Sequence, residues 1–406
     1  MVSLAVAMGI GRFAFTPLLP MMLEEQVVDL AGASWLASAN YLAYMLGALL
    51  CTLQPWIWSR LSGMPSIAYA TLVRAGLVAT GLLTVAMAVN LPAAWPTLRF
   101  GAGVASAVVF VFTSGWCLAR LARLGAPALG GIVYAGPGVG IVISGLFGSG
   151  LVALHWSAAS GWLIFGLLAL ALTAAVWHVF QGGEDRLVAL HRSGSARLGK
   201  GDTSARTGHG RGEMGLLAFA YGLAGFGYII TATFLPVIAR EALPGSAWLD
   251  LFWPIFGAGV VAGSLLATRI PVGGDRRYLL AGAYAIQALG IAASVLSPSL
   301  AGFAIGSLML GAPFTAITFF AMQEVRRLRP GPSAASFMGM LTATYGVGQI
   351  VGPPLVAVLL ARSATPGEGF TASLTIAAAA LLVGAALHLW MSRAYPMARR
   401  DPVARP

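Results

Sequence analysis

Twelve apolar runs along this 406-residue chain are each long enough to cross a bilayer as a helix. Crossing the hydrocarbon core takes roughly 20 helical residues. The runs cover approximately residues 2–23, 34–54, 65–89, 95–119, 128–153, 158–180, 214–238, 247–268, 278–297, 299–324, 333–361 and 370–394. Only 9% of the residues are charged and the mean hydropathy is +0.84, which excludes an ordinary soluble domain. The sequence therefore predicts an all-α polytopic membrane protein with 12 transmembrane helices.

Basic residues are distributed unevenly between the two sides that this topology implies. An even number of spans places both termini on one side, and nearly all of the 24 Lys and Arg residues fall in loops and tails there. The exceptions are Arg12, Arg74 and Arg99 within predicted spans, and Arg240 and Arg362 in the opposite loops. Because cytoplasmic loops are enriched in Lys and Arg, we expect both termini to be cytoplasmic. The net charge of +11 then reflects topology and predicts no nucleic-acid partner.

A polar segment divides the chain into two halves. Residues 181–213 are rich in Gly, Ser and Arg and lack apolar periodicity, which predicts a flexible basic cytoplasmic linker. We expect an N-terminal six-helix half at 1–180 and a C-terminal six-helix half at 214–394. Residues 395–406 then form a cytoplasmic tail.

The two halves repeat each other in sequence. A shift of 216 residues aligns their first spans, and a shift of 208 aligns the fifth span with the eleventh. The matched residues are Gly9, Gly11, Leu19 and Pro20 with Gly225, Gly227, Leu235 and Pro236, and Gly131, Gly138, Val139 and Gly140 with Gly339, Gly346, Val347 and Gly348. Because each half has an even number of spans, the sequence predicts a parallel repeat about an axis along the membrane normal. One large group of secondary transporters has this arrangement.

Twelve spans divided six and six around a basic linker resemble the major facilitator superfamily over essentially the whole chain. Within it, GIGRFAFTPLLP followed by SWLASANYLAYMLGALL is similar to the YbfB/YjiJ-type members. The resemblance implies the MFS fold, a bacterial inner membrane and a secondary transporter that works by alternating access, not an enzyme. It also implies that the first and fourth helices line a central cavity, while the third is an outer support.

Two motifs of the superfamily are present in altered form. The fourth-helix pattern keeps its Arg at Arg99, but Ala102 and Ala105 replace its Gln and its second Gly. The loop motif is reduced to QPWIWSRL in the first half and lacks its Asp, whereas the second half keeps Asp275 and Arg276. The resemblance implies that the loop acidic residue helps to hold the outward-facing state. Its loss from the first half puts this part of the gating in doubt.

Gly and Pro mark positions where the helices are expected to bend. The fifth span carries the Gly-Pro-x-x-Gly pattern that the superfamily associates with antiporters, which favours exchange or efflux. The candidate conformational or gating residues are Pro17, Pro20, Gly136, Pro137, Gly140, Asp275, Arg276 and Pro353.

Arg12 places a permanent charge near the middle of the first span. This run starts without a basic segment and ends in LLPMMLEEQ, so we expect it to remain in the protein and not to be removed as a signal peptide. A central Arg costs about 2.5–3.5 kcal/mol on insertion and normally faces a partner or water. Arg12 either bonds carbonyls freed by Pro17 and Pro20 or holds an anionic group in the cavity through a bidentate contact.

Other polar side chains inside the spans are candidate substrate ligands. Asn40 and Tyr44 are expected to share a helix face because they are four residues apart. Each candidate has a structural alternative, since polar residues often join helices in membrane bundles and Arg99 lies close enough to the boundary to snorkel. Arg74 is expected to have a packing or interfacial role. The candidate substrate ligands are Arg12, Asn40, Tyr41, Tyr44, Arg99, Tyr228, Tyr345 and Gln349.

The spans contain no central Asp or Glu that would neutralise Arg12, so the ligand itself is expected to supply the negative charge. We predict a small organic anion such as a carboxylate as the substrate, with transport coupled to an ion or proton gradient. The candidates for proton coupling are His388, for which packing is the alternative, and Glu324.

Two other functions remain open on the sequence. One is an efflux antiporter for drug-like or amphipathic compounds, and the other is a transport-inactive receptor or sensor with the same fold. An intramembrane enzyme would need a catalytic cluster, and the spans contain none. Cys51 and Cys117 lie in spans and no Cys/His group has ligand spacing, so we expect no metal and no cofactor. The expected partners are a small-molecule substrate and membrane lipid, around a monomer.

Overall fold

The computed structural model describes residues 1–60, 68–125, 129–180, 209–246, 248–270, 274–329 and 334–397. Within these residues, twelve helices are long and apolar enough to cross a membrane. They are α1 Val2–Glu24, α2 Leu30–Gln54, α3 Tyr69–Ala86, α4 Pro92–Cys117, α5 Gly130–Ala153, α6 Ala158–Phe180, α7 Gly210–Ala242, α8 Leu249–Ala267, α9 Arg276–Leu296, α10 Leu300–Leu328, α11 Phe337–Arg362 and α12 Pro366–Ala394. The predicted all-α polytopic architecture is confirmed. Both chain ends lie at one end of the bundle, which we call the terminal face, and the other end is the opposite face.

Short polar side chains fix where four of the helices begin. Each accepts a hydrogen bond from a backbone N–H of the first turn, which would otherwise have no partner in an apolar environment. The caps of α6, α9, α10 and α12 are Ser157, Asp275, Ser299 and Thr365.

Helix α7 extends further towards the terminal face than its apolar run. The continuous helix covers His209–Ala242, so the last residues of the predicted linker, 209–213, are helical. Polar side chains can continue the helix there because Glu213 is ion-paired with Arg277 and Arg327. The rest of the predicted linker, 181–208, and the end of the tail, 398–406, lie outside the described residues.

The two halves pack against each other through α1 with α7, α2 with α11, and α5 with α8. Small residues let these helices approach closely. A Cβ added to Gly138 of α5 would lie 2.8 Å from the carbonyl oxygen of Gly257 in α8. A Cβ added to Gly346 of α11 would lie 2.7 Å from a side-chain carbon of Met45 in α2. The repeat relates these two interfaces, so one packing solution is used twice.

The duplicated glycines also make the same contact inside each half, which confirms the parallel repeat. In the first half, a Cβ on Gly9 of α1 would lie 2.3 Å from the Cα of Gly140 in α5. In the second half, a Cβ on Gly348 of α11 would lie 3.1 Å from the carbonyl carbon of Gly225 in α7. Gly225 is the repeat partner of Gly9, and Gly348 is that of Gly140. Each matched pair therefore holds the first and fifth helices of its half together.

Candidate substrate site

Helix α1 is interrupted halfway along its length, and Arg12 lies at the interruption. The helix passes through a π-helical stretch, Ala5–Ile10, and returns to α-helical bonding only at Phe15–Glu24. Pro17 has no N–H for the carbonyl four residues earlier, so an ordinary helix cannot continue here. The Thr16 N–H bonds to a carbonyl three residues back instead of four. The carbonyl of Arg12 is therefore left without its usual donor.

Arg99 of α4 supplies donors to this interruption. Its two terminal nitrogens donate to the carbonyls of Gly11, at 3.3 Å, and Arg12, at 3.0 Å. The Arg99 side chain is 2% exposed, and its guanidinium carbon lies 5.1 Å from the ring centroid of Phe15. Freed backbone groups in a membrane helix need such a partner. From the sequence, one explanation of Arg12 is that it bonds to freed carbonyls. In the structure, Arg99 makes these bonds instead.

Arg12 itself is enclosed by aromatic rings and one amide. The residue is 3% exposed, and its Nη2 donates to Oε1 of Gln349 at 2.6 Å. Its guanidinium carbon lies 4.2 Å from the ring centroid of Tyr44, 5.1 Å from that of Tyr41 and 5.3 Å from that of Phe13. The negative faces of aromatic rings attract a cation at such distances. The positive charge of the guanidinium is therefore partly compensated by the dipole of the Gln349 amide and the quadrupoles of the three rings.

Gln349 connects Arg12 to its own repeat partner. The amide accepts from Arg12 of the first half, and its Nε2 donates to the hydroxyl of Tyr228 in the second half. Tyr228 occupies the position that a shift of 216 residues assigns to Arg12. The Tyr228 ring stacks on Tyr345 at 5.7 Å and packs against Phe314 at 4.8 Å between centroids. Six of the eight predicted substrate ligands thus lie in one cluster, which is made by both halves.

The cluster is closed on the side of the opposite face by direct bonds between the halves. The hydroxyls of Tyr41 and Thr233 are 2.9 Å apart, and Thr16 donates to the carbonyl of Ala232 at 2.9 Å. Thr16, Tyr41 and Thr233 are all buried. Beyond this seal lies a cavity of about 420 Å³, lined by Pro20, Leu23, Glu24, Val237 and Arg240.

Two rows of aromatic residues run from Arg12 towards the terminal face. The first row belongs to the N-terminal half and consists of Tyr44, Phe110 and Tyr134, with centroid distances of 6.3 and 6.2 Å. The second row belongs to the C-terminal half and consists of Tyr228, Tyr345 and Tyr221, with centroid distances of 5.7 and 4.7 Å. All of the first row and Tyr345 of the second are partly exposed.

No carboxylate neutralises Arg12 in the part of the chain that the structure describes. The ion pairs found there involve Arg240 near the opposite face, and Arg277 and Arg327 near the terminal face. The Arg12 Nε is buried and makes no hydrogen bond with a described residue. A buried charge is costly unless it is paired, so this site can accept an anionic group.

The comparisons with known proteins identify the family. A family model described as "Uncharacterised MFS-type transporter YbfB" matches residues 4–389. The chain belongs to this YbfB-type family of the major facilitator superfamily. It is an integral membrane protein with the fold of a transporter, as the sequence resemblance implied. The crystal structure of a mutant of the nucleoside transporter NupG is similar in fold, with a TM-score of 0.67 and 15% identity over 96% of this chain and 98% of that one. No curated protein matches.

Two predicted substrate ligands of this YbfB-type transporter lie outside the cluster around Arg12. Asn40 is buried, and its Nδ2 donates to the carbonyl of Arg99 at 2.9 Å, so it joins α2 to α4. Tyr44, one turn further on, contacts both Arg12 and the ring of Phe110 in α4, so the two side chains share the face towards α4 as expected. A Cβ on Gly103 of α4 would lie 2.3 Å from the Asn40 carbonyl, so α2 and α4 approach closely at this point. Direct contact of Asn40 or Arg99 with a substrate stays a prediction.

The predicted bend residues lie where helices pack closely or are interrupted. The α-helical bonding of α5 is interrupted between Tyr134 and Gly136, with Pro137 in the first turn of the following segment. A Cβ on Gly136 would lie 2.5 Å from the carbonyl oxygen of Met1. Pro20 and Pro353 lie inside the helices α1 and α11. Their role in gating stays a prediction, as do those of Pro17 and Gly140.

At the terminal face of the second half, Asp275 of the loop motif is paired with Arg277, the residue after the motif's Arg276. Asp275 accepts from Arg277, with a shortest distance of 2.7 Å, and Arg277 also donates to Glu213 at 2.9 Å. Burial acts to raise the pKa of the Asp275 carboxyl, but the hydrogen bonds and the charge of Arg277 outweigh it. The pKa of Asp275 therefore lies below its ordinary value of 3.8. A gating role of Asp275 and Arg276 stays a prediction.

The two candidates for proton coupling lie away from Arg12. His388 is fully buried between α9 and α12, where its ring meets that of Tyr284 edge-on at 5.0 Å. Glu324 is 1% exposed and accepts from Nε of Arg327 at 2.8 Å. Arg74, for which packing was expected, donates to the carbonyl of Phe180 and joins α3 to α6.

Several residues of the cluster were not predicted from the sequence. Phe13, Trp253 and Phe314 contribute rings, with Phe13 lying 5.9 Å from Trp253 and 6.3 Å from Phe314 between centroids. Aromatic residues inside apolar runs resemble any other core residue, so no sequence signal separates them. Thr233 could have been found, because the repeat places it at the position of Pro17. In the described residues no group of His, Cys, Asp and Glu could hold a metal ion.

Proposed function

We propose that this protein is a secondary active transporter that moves a small organic anion by alternating access, with Arg12 as the anchor for the anionic group. The observation that carries the proposal is the buried Arg12, which lies between the two halves and has no carboxylate partner among the described residues. A site between two repeated halves is where such transporters bind their substrates.

A carboxylate would complete the interactions that Arg12 lacks. Gln349 offers Arg12 one neutral oxygen at 2.6 Å, and the rings of Tyr41 and Tyr44 offer Arg12 only their faces. A substrate carboxylate carries a full charge and two oxygens, which match the planar guanidinium in a bidentate contact. Binding at Arg12 would therefore replace the Gln349 oxygen with a stronger acceptor.

Replacement of Gln349 would also change the contact between the halves. The amide joins Arg12 of the first half to Tyr228 of the second. An anion that takes over Arg12 releases this amide, while the seal of Tyr41 with Thr233 closes the opposite face. In our proposal the termini are cytoplasmic and the membrane is the bacterial inner membrane, so the site communicates with the cytoplasm through the aromatic rows. Coupling to a proton or ion gradient is part of the proposal, with His388 and Glu324 as the candidate residues for proton coupling.

A thermal-shift screen of the purified protein in detergent tests the anchor. Acetate, succinate and benzoate are compared with choline and glucose at equal concentrations, because a ligand that binds only the folded state raises the melting temperature more as its concentration exceeds its Kd. We expect stabilisation by at least one anion in the wild type and none in Arg12→Gln. The matched control is Arg74→Gln, which removes another Arg inside a span but should keep the anion response. Stabilisation by cations or neutral solutes alone, or an anion response that survives Arg12→Gln, would overturn the proposal.

An efflux antiporter for amphipathic compounds is the second candidate, and the aromatic rows favour it because they offer a large apolar surface. The two candidates differ in their need for charge. A neutral amphipathic compound should bind equally to the wild type and Arg12→Gln, whereas an organic anion should lose its affinity. Flux of a preloaded compound out of vesicles, measured with and without an opposing gradient, distinguishes exchange from uptake.

A further inference from the structure

Aromatic rings surround the space between Arg12 and the terminal face. From Arg12 towards the terminal face, each half contributes a continuous row of rings: Tyr44, Phe110 and Tyr134 on one side, and Tyr228, Tyr345 and Tyr221 on the other. The two rows belong to different halves, and both begin at side chains that share the Arg12 and Gln349 contacts. A ligand anchored at Arg12 would extend between them.

Accessibility differs among the residues of the rows. Arg12, Tyr41, Tyr228 and Tyr221 are buried, whereas Tyr345 and all three residues of the first row are partly exposed. The seal of Tyr41 with Thr233 lies on the other side of Arg12. A ligand anchored at Arg12 can therefore extend along the rows, whereas the seal separates it from the cavity of about 420 Å³ near the opposite face.

The charged side chains near the two rows also limit which ligands can bind. Arg12 is the single charged side chain in the cluster and the two rows. In the described part of the chain, no hydrogen bond or ion pair joins an Asp or Glu to Arg12 or to either row. Glu213 and Glu324 are engaged with Arg277 and Arg327 at the terminal face. A ligand ammonium group would find no counter-charge here, and the nearby buried cation Arg99 already donates to the carbonyls of Gly11 and Arg12.

We propose that the preferred substrate is a monovalent organic anion with a planar aromatic body and no ammonium group. This inference rests on the proposed function, because it takes Arg12 as the anchor. The carboxylate binds Arg12, and the ring lies between the two aromatic rows. The phenolic hydroxyls of Tyr221 and Tyr228 already have partners in Thr318 and Gln349, so the rows present mainly ring surface.

Ring surface favours an aromatic ligand over an aliphatic one of equal size. Aromatic pairs gain from the matching of their quadrupoles in addition to the burial of area, and the gain corresponds to roughly tenfold in affinity. Benzoate and cyclohexanecarboxylate have the same charge and nearly the same size, so their affinity ratio isolates this effect. Terephthalate adds a second carboxylate, and phenylalanine adds an ammonium group.

The experiment measures the affinity of these four compounds for the full-length protein by thermal shift, with competition against uptake of labelled benzoate as a second readout. We expect benzoate to bind roughly tenfold more tightly than cyclohexanecarboxylate. Terephthalate and phenylalanine should bind more weakly than benzoate, because each brings a charge that the site leaves unpaired.

Variants at Tyr345, the middle of the second row, assign the preference to the rows. Tyr345→Leu should bring the ratio of the affinities for benzoate and cyclohexanecarboxylate close to one. Tyr345→Phe, which keeps the ring, should retain the preference for benzoate. Tyr69→Leu is the matched control, because Tyr69 of α3 belongs to neither row and stacks on Phe112 of α4 at 5.1 Å, so its loss should leave the ratio unchanged.

Failure of the inference can be told from failure of the proposed function. Anions could bind through Arg12 with equal affinity for benzoate and cyclohexanecarboxylate, or the preference for benzoate could survive Tyr345→Leu. In either case the proposed aromatic preference is wrong, while the proposed anion transport is not contradicted. Equal binding of phenylalanine and benzoate would likewise overturn the inference alone. If no anion binds and the Arg12→Gln variant behaves as the wild type, both are overturned.

Discussion

At the scale of single residues, the main feature is a charge whose partners are all neutral. Arg12 contacts Gln349 and the faces of Tyr41 and Tyr44, and it lies where the two halves meet. Neutral partners stabilise a guanidinium only in part, because a buried cation without an anion keeps much of its desolvation cost. In our proposal, an anion from outside supplies the charge that these partners lack.

Replacement of Gln349 by an acid should imitate the bound anion. Gln349→Glu places a carboxylate at the oxygen that Arg12 now contacts, so we expect anion affinity to fall at least roughly tenfold as the built-in acid competes. Binding is measured by thermal shift at neutral pH. Unchanged affinity for anions in this variant would show that the substrate does not take the place of the Gln349 oxygen.

Arg99 should act through the backbone of α1. Its two bonds to carbonyls are charge-assisted and buried, so Arg99→Met is expected to lower the free energy of unfolding by about 3 kcal/mol. Arg74→Met is the comparison, because the half-buried Arg74 makes one such bond, to Phe180, and its loss should cost less. Denaturation in mixed micelles measures both variants, and an equal or smaller loss for Arg99→Met would contradict this role.

At the scale of helices, the repeated glycines hold equivalent helix pairs together. Gly9→Ala and Gly225→Ala each introduce a Cβ within 2.3 Å of backbone atoms in the facing helix, so both should destabilise the protein by about 1–3 kcal/mol. Gly282→Ala, where a Cβ meets nothing within 4 Å, is the control and should stabilise α9 slightly. Similar melting temperatures for all three variants would rule out close helix packing at the repeated positions.

The charged cluster at the terminal face should make stability depend on pH. The pKa of Asp275 is lower in the folded state than in the unfolded one, so its contribution is present above the ordinary value of 3.8 and is lost as the pH falls through the folded-state pKa. The difference in melting temperature between the wild type and Asp275→Asn should therefore shrink on acidification below about pH 4. A difference that stays constant or grows there would show that the pKa of Asp275 is not depressed.

At the scale of the whole molecule, much of the fold could be predicted because the bilayer imposes it. Apolar runs of the required length gave twelve helices, and the matched glycines gave the parallel repeat that the structure confirms. Polar residues inside the spans also pointed to Arg12, Gln349 and the tyrosines that meet there. The bond from Asn40 to the Arg99 carbonyl and the rings of Phe13 and Phe314 could not be predicted. A helix that is apolar on all sides carries no pattern to show which face meets a neighbour.

The two halves together give the molecule one closed and one more accessible side. The hydroxyl pair of Tyr41 and Thr233 joins the halves beyond Arg12, while the aromatic rows lead from it to the terminal face. Alternating access requires that this pair separate and that the rows approach each other. An anion at Arg12 would influence both events, because it replaces a bond that spans the halves.

Uptake of a labelled organic anion into proteoliposomes tests the central role of Arg12 most directly. Wild-type protein, Arg12→Gln and Arg74→Gln are reconstituted at equal amounts, and uptake of labelled benzoate is measured against labelled choline and glucose. We expect benzoate to be carried by the wild type and Arg74→Gln, and its uptake to be abolished in Arg12→Gln. Transport of only cations or neutral solutes, or full benzoate uptake by Arg12→Gln, would contradict the account.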